Sequence, residues 1–230
     1  MKTIGLIGGM SWESTVTYYQ VINEAVKRRL GGLHSARILL YSVDFEEIEK
    51  CQSAGEWEKS GEILAGAARA LERGGAECVV ICTNTMHKVA PQVQAAVGVP
   101  LLHIVDATAA RLERSGVRRV ALLGTRYTMQ QDFYKRPLCE RGFEVLVPDE
   151  EDMERINGII FDELCLGQVR EPSRAVFLQV LEKLRRRGAQ GAILGCTEIG
   201  LLVRPQDIGL PLFDTALIHA QRAAEWSLEE

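Results

Sequence analysis

The feature that most constrains the fold is an internal repeat. The segment "GAECVVICTNTMH" at residues 75–87 resembles "GAQGAILGCTEIG" at residues 188–200, and Thr83 takes the same position as Cys196 at an offset of 113 residues. Two shorter matches agree, since "IGLIGG" at 4–9 resembles "VALLGT" at 120–125 and "VGVPLL" at 97–102 resembles "IGLPLF" at 208–213. Three matches in the same order and at nearly constant offset predict two copies of one half. We expect residues 1–102 plus 211–230 to form the first half and residues 103–210 the second.

Each half has the pattern of an α/β fold. Short β-branched stretches alternate with longer amphipathic ones, and strands that are apolar on both faces are typical of a parallel sheet covered by helices on both sides. The predicted helices include residues 13–30, 57–73 and 173–187, and the predicted strands are residues 3–7, 36–42, 78–82, 100–103, 119–123, 144–147 and 192–194.

Composition excludes several classes of protein. The chain has 230 residues, of which 47% are hydrophobic and 25% charged, and its formal net charge of -4 favours neither nucleic acid nor acidic membranes as a partner. We expect a cytoplasmic protein, because the sequence offers neither a membrane span of ~20 apolar residues nor a signal peptide. The six cysteines form no CxxC pair and have no histidine at zinc spacing, which predicts neither disulfides nor a metal site.

The equivalent residues Thr83 and Cys196 are candidate catalytic groups. Each follows a predicted strand, and parallel sheets bind ligands at the loops beyond the carboxyl ends of their strands. If a pseudo-twofold axis relates the halves, the two residues reach a shared cleft from opposite sides. That arrangement suits a racemase or epimerase, in which one group removes a proton from one face of a carbon and another supplies a proton to the opposite face. A helix N-terminus beside Cys196 predicts a lowered thiol pKa, whereas a threonine hydroxyl is a poor base.

Three motifs, "IGLIGGMSWEST", "CTNTMH" and "ILGCTEI", resemble the aspartate/glutamate racemase family, which works without pyridoxal phosphate. The resemblance implies two flavodoxin-like halves, no cofactor, no metal and a homodimer. The usual catalytic pair of that family is two cysteines, of which Cys196 matches the second, while Thr83 replaces the first. Cys82 lies one position earlier, and a shift of one residue in a strand points a side chain to the other face of the sheet.

The resemblance also assigns substrate-binding residues. They are Met10 in the glycine-rich turn, Thr125 as its counterpart in the second half, and Gln52, Asn84, Thr85 and Thr197. A second interpretation of Gly8 and Gly9 is that they only permit a tight turn. His87, one helical turn beyond Thr83, either orients the site or is structural. The family often has a lysine after a Glu-Leu pair, where this chain has Cys165, so a preference for an acidic side chain does not follow.

The sequence therefore predicts cofactor-independent racemisation of L-aspartate, L-glutamate or a related small amino acid. Cys196 would abstract the α-proton and the Thr83 side would return one. Two alternatives use the same residues: a one-cysteine decarboxylase or isomerase of small carboxylic acids, and a carboxylate-binding protein without turnover.

Overall fold

The computed structural model describes residues 1–229, which divide into two units. The first unit comprises Met1–Ile104 and the stretch that begins at Ala216, and the second comprises Val105–Thr215. Within the described residues, no helix has both the length and the apolar composition that a bilayer crossing requires.

One or more helices separate each pair of successive strands along the chain. The first elements are β1 (Ile4–Gly8), α1 (Trp12–Leu30), β2 (Ile38–Ser42), α2 (Phe45–Ser53), α3 (Trp57–Arg73), β3 (Cys78–Ile81), α4 (Ala90–Ala95) and β4 (Leu101–Leu102). They are followed by α5 (Ile104–Ser115), β5 (Arg119–Gly124), α6 (Arg126–Gln130), α7 (Asp132–Glu140), β6 (Glu144–Leu146), α8 (Glu150–Asp162), α9 (Glu171–Arg186), β7 (Gly191–Gly195), α10 (Ile199–Leu202), β8 (Leu212–Asp214) and α11 (Thr215–Ser227). Short 3-10 helices cover Thr85–Val89, Leu164–Leu166 and Pro205–Asp207.

Each unit contains a four-stranded, fully parallel sheet. The strand order is β2-β1-β3-β4 in the first unit and β6-β5-β7-β8 in the second. The pairing is parallel throughout, with Ile7 beside Ile81 in the first sheet and Gly124 beside Gly195 in the second. Two parallel sheets of identical order, flanked by helices, confirm the predicted α/β class.

The predicted elements agree closely with the observed ones. All seven predicted strands are present, and the helix predicted at 57–73 has the same bounds as α3. The strand β8 was missed, because it has only three residues and follows Pro211, which cannot donate a ladder hydrogen bond.

The central strands β1 and β3 of the first sheet are buried on both faces by different helices. Along β3, Val79 and Ile81 pack into a core with residues of α3, whereas Val80 packs into a second core with Tyr18 of α1 and Ala220 of α11. This alternation follows from the two-residue period of a strand.

Candidate functional site

The strand order places the candidate residues where neighbouring central strands connect to opposite edges of the sheet. From β1 the chain moves to β2 at one edge of the sheet, and from β3 it moves to β4 at the other edge. The loops after β1 and β3 therefore flank the crevice in which open α/β sheets bind ligands, and the loops after β5 and β7 do so in the second unit. These loops contain residues 9–11, 82–84, 125 and 196–198.

The turn after β1 requires a glycine at position 9. Gly9 has a φ of 93°, and a Cβ there would overlap the carbonyl oxygen of Val43 and lie 2.8 Å from its nitrogen. The Gly9 N–H donates to Thr15 Oγ1 at 2.9 Å, and Ser11 caps α1 by accepting from the Ser14 N–H at 3.4 Å. The tight-turn interpretation therefore accounts for Gly9.

Met10 and Gln52 are both buried in the first unit. Met10 is 3% exposed and packs with Ile7, Ile48 and Met86, so its side chain belongs to the core of the first unit. Gln52 is also buried, and its Nε2 donates to Met86 Sδ at 3.1 Å. A substrate contact at Met10 would therefore come from its backbone.

Thr83 is half-buried, and its carbonyl is held by His87. The Thr83 carbonyl must accept, so His87 donates from Nδ1 at 2.8 Å, while its Nε2 accepts from the Ile104 N–H at 3.2 Å. Burial and the neighbouring His103 and His219 place the pKa of His87 well below 6.5. His87 is thus a neutral residue with both ring nitrogens bonded to the backbone, which favours the structural interpretation.

Asn84 and Thr85 are both buried at the start of a short helical segment. They begin a 3-10 helix, Thr85–Val89, without a side-chain cap, and α4 follows it directly. Fewer backbone N–H groups are aligned in so short a turn than at the start of a long helix.

Cys82 is a core residue. Its side chain packs with Tyr18, Ile22 and Ala220 on the face of the sheet that α1 and α11 cover. Burial raises the pKa of the Cys82 thiol strongly, which disfavours the thiolate that a base requires.

Thr125 caps a helix as Ser11 does. Its hydroxyl accepts from the Thr128 N–H at 3.4 Å and lies 3.2 Å from Thr128 Oγ1, and the Ser11 hydroxyl lies at the same distance from that of Ser14. The structural counterpart of Thr125 is therefore Ser11, which corrects the pairing with Met10, because the first turn contains extra residues before its cap.

Cys196 lies directly after β7 and is hydrogen-bonded to an acidic side chain. Its Sγ donates to Glu198 Oε2 at 2.9 Å, and the Thr197 hydroxyl donates to the same oxygen at 2.7 Å. Cys196 is 8% exposed and Glu198 is 4% exposed. A buried thiol is therefore hydrogen-bonded to a buried carboxyl group.

The expectation of a lowered Cys196 pKa is wrong. Burial, followed by the charge and hydrogen bond of Glu198 and the proximity of Cys165, raises the pKa well above 9.0. The sequence argument relied on a helix N-terminus, but α10 has four residues and starts three positions after the cysteine. Burial and the adjacent carboxyl group together outweigh the effect of so short a helix.

Glu198 is the functional candidate that the sequence reasoning missed. The sequence pattern could have indicated it, because an acidic residue two positions after a candidate base can reach that base when the chain turns between them. Across residues 1–229, no group of three or more His, Cys, Asp or Glu side chains is arranged to hold a metal ion.

Comparisons with known proteins identify the family of this chain. The model of the family described as Asp/Glu/Hydantoin racemase matches residues 7–223. "Broad specificity amino-acid racemase RacX" of Bacillus subtilis is 24% identical over 230 residues, which cover 93% of this chain and 92% of RacX.

Two solved structures resemble the whole chain. A protein of Yersinia pestis described as a candidate Asp/Glu racemase is 55% identical, with a TM-score of 0.93. An aspartate racemase homologue of Pyrococcus horikoshii is 40% identical, with a TM-score of 0.87. Each alignment covers 100% of both chains.

Proposed function

Because the chain belongs to the Asp/Glu/hydantoin racemase family and is an amino-acid racemase, as its named relatives are, we propose a role for two residues. Cys196 and Thr83 are its two proton-transfer groups. The family expected from the three motifs is confirmed. That Thr83 takes the catalytic position of the first cysteine of the family stays a prediction.

The observation that carries the proposal is the position of a hydrogen-bonded thiol at the end of β7. Cys196 follows a central strand of the second sheet, and Thr83 follows the equivalent strand β3 of the first. In this proposal Cys196 takes the α-proton of one enantiomer, and the Thr83 hydroxyl, or water that it binds, supplies a proton to the other face of the carbon. No cofactor or metal takes part.

We place the substrate among L-aspartate, L-glutamate and related small amino acids. The relative RacX is named for broad specificity, which supports testing a panel rather than one compound. Residues beyond the ends of the central strands, together with Gln52 of α2, would bind the substrate backbone. The former are Met10 through its main chain, Asn84, Thr85, Thr125 and Thr197. All of these residues are buried except Thr197, which is partly buried, and this supports the role because contacts made away from water are stronger.

The test is α-deuterium exchange. The protein is incubated in D2O with each pure enantiomer of a panel of amino acids, and incorporation is followed by NMR. We expect exchange that Cys196→Ser lowers at least about 100-fold, as for loss of a general base, whereas Cys139→Ser, at an exposed cysteine, retains it. Release of CO2 from a small dicarboxylic acid would support a decarboxylase instead, and no exchange on any amino acid would support a binding protein.

The homodimer implied by the family resemblance also stays a prediction. Sedimentation at micromolar concentration tests it, and a monomer would contradict it.

A further inference from the structure

The surroundings of Cys196 raise a difficulty for a simple thiolate base. The sulfur lies 2.9 Å from Glu198 Oε2, and both side chains are more than nine-tenths buried. Ionising the thiol while Glu198 is also ionised would place two negative charges in contact away from water, which is costly. The group that takes the α-proton must therefore lose its own proton to a neighbour.

We propose that Cys196 and Glu198 form one proton relay, in which Glu198 takes the thiol proton as Cys196 takes the α-proton of the substrate. The inference rests on the proposed racemase function and deepens it. The Cα–H bond breaks as a new S–H bond forms, and the original S–H bond breaks as an O–H bond forms on Glu198. The negative charge moves from the Glu198 carboxylate to the deprotonated substrate, and no free thiolate is formed.

The hydrogen bonds around Glu198 suit this role. The thiol already donates to Oε2, so the proton has a short path to its acceptor. Thr197 donates its hydroxyl to the same oxygen at 2.7 Å and thereby fixes the orientation of the carboxylate. Glu198 acts on the substrate through Cys196 and is a positioning and proton-accepting residue.

The decisive variant is Glu198→Gln, which keeps the shape of the side chain and removes its charge. Two readouts are measured at neutral pH: α-deuterium exchange from the enantiomer that Cys196 deprotonates, and the alkylation rate of Cys196 by iodoacetamide. Peptide mass spectrometry follows alkylation, with the exposed Cys139 as an internal reference.

The relay predicts changes of opposite sign in these readouts. Exchange falls about 100-fold or more, because the proton acceptor is lost. Alkylation of Cys196 relative to Cys139 rises at least about fivefold, because removal of the adjacent charge makes the thiolate more accessible. If both readouts rise, or if exchange stays within about threefold of the wild type, the thiolate alone is the base and the relay is wrong.

Asp152→Asn is the matched control. It makes the same acid-to-amide change at a carboxylate that is 2% exposed, but Asp152 bonds Lys183 and Arg155. We expect both readouts to stay within about twofold of the wild type in the folded control protein. Unfolding curves for both variants identify a simple loss of structure. The alkylation readout also separates the two proposals: wild-type protein without exchange contradicts the racemase function, whereas unchanged alkylation in Glu198→Gln contradicts the coupling of Cys196 to Glu198.

Discussion

At the scale of single residues, the contrast between Thr83 and Cys196 predicts unequal rates from the two enantiomers. Cys196 has a carboxyl group within hydrogen-bonding distance to accept its proton. His87, near Thr83, already bonds the backbone through both ring nitrogens and does not offer the Thr83 hydroxyl such an acceptor. A hydroxyl is far less acidic than a thiol, so deprotonation from the Thr83 side is slow. We expect Thr83→Cys to raise the initial rate from the D enantiomer at least about tenfold, or ~1.4 kcal/mol of barrier, and more than the rate from the L enantiomer.

The measurement is the initial rate and the α-deuterium incorporation from each pure enantiomer. Thr17→Cys, on the partly exposed surface of α1, controls for the addition of a thiol and should change neither rate. Because no catalyst shifts the equilibrium between enantiomers, only initial rates are informative. Equal initial rates in the wild type would show that Thr83 does not limit the reaction.

At the scale of elements, the turn between β1 and α1 depends on the close approach of Gly9 to Val43. Gly9 and Gly75 have nearly the same positive φ, 93° and 95°, but a Cβ at Gly75 would meet nothing within 4 Å. Gly75→Ala should therefore cost about 1 kcal/mol for backbone conformation alone. Gly9→Ala should cost about 3 kcal/mol or more, because backbone atoms must also move.

Chemical denaturation of both variants measures this difference. Similar losses of unfolding free energy would mean that the turn shifts easily and that Gly9 is not needed for close packing. A further consequence of the larger displacement is that Gly9→Ala should lower exchange activity in the folded protein, since the Gly9–Ser11 loop moves with it.

The elements were predictable from sequence where the signal is local, and the site was only partly so. The helix at Trp57–Arg73 followed from its apolar period, and the repeat placed Thr83 and Cys196 after equivalent strands. The pKa of Cys196 could not be predicted, because it depends on burial and on which way Glu198 turns. The core position of the Met10 side chain depends on Ile48 and Met86, which are distant in sequence.

At the scale of the whole molecule, His219 joins three elements of the first unit. The Leu102 carbonyl must accept, so Nε2 of His219 donates to it at 2.7 Å, and Nδ1 accepts from the Tyr18 hydroxyl at 2.9 Å. The ring thereby connects α11 to β4 and α1 as a neutral imidazole. His87 lies beside it, with ring centroids 5.6 Å apart. Protonation of His219 would remove the acceptor at Nδ1 and add a charge inside the core.

This buried histidine predicts a loss of stability in mild acid. Burial lowers the pKa of His219 from 6.5 to about 4, against which the bond to Leu102 acts only partly. Between these values the unfolded chain binds the proton and the folded protein does not, so the contribution is fully present above pH 6.5 and is lost as the pH falls towards 4. The lowered pKa of His87 acts in the same direction. From His219 alone, the free energy of unfolding should fall by roughly 2 kcal/mol between pH 7.5 and pH 5.

Urea unfolding at those two pH values tests the prediction in the wild type, His219→Gln and His34→Gln. Glutamine cannot be protonated, so His219→Gln should be less stable than the wild type at pH 7.5 but should lose roughly 2 kcal/mol less on acidification. His34 is exposed, and its replacement should leave the pH dependence unchanged. If His219→Gln and the wild type lose the same free energy between pH 7.5 and pH 5, His219 is not the group that links folding to protonation. A pH dependence that then disappears in His87→Asn would assign the link to the histidine that holds the Thr83 carbonyl.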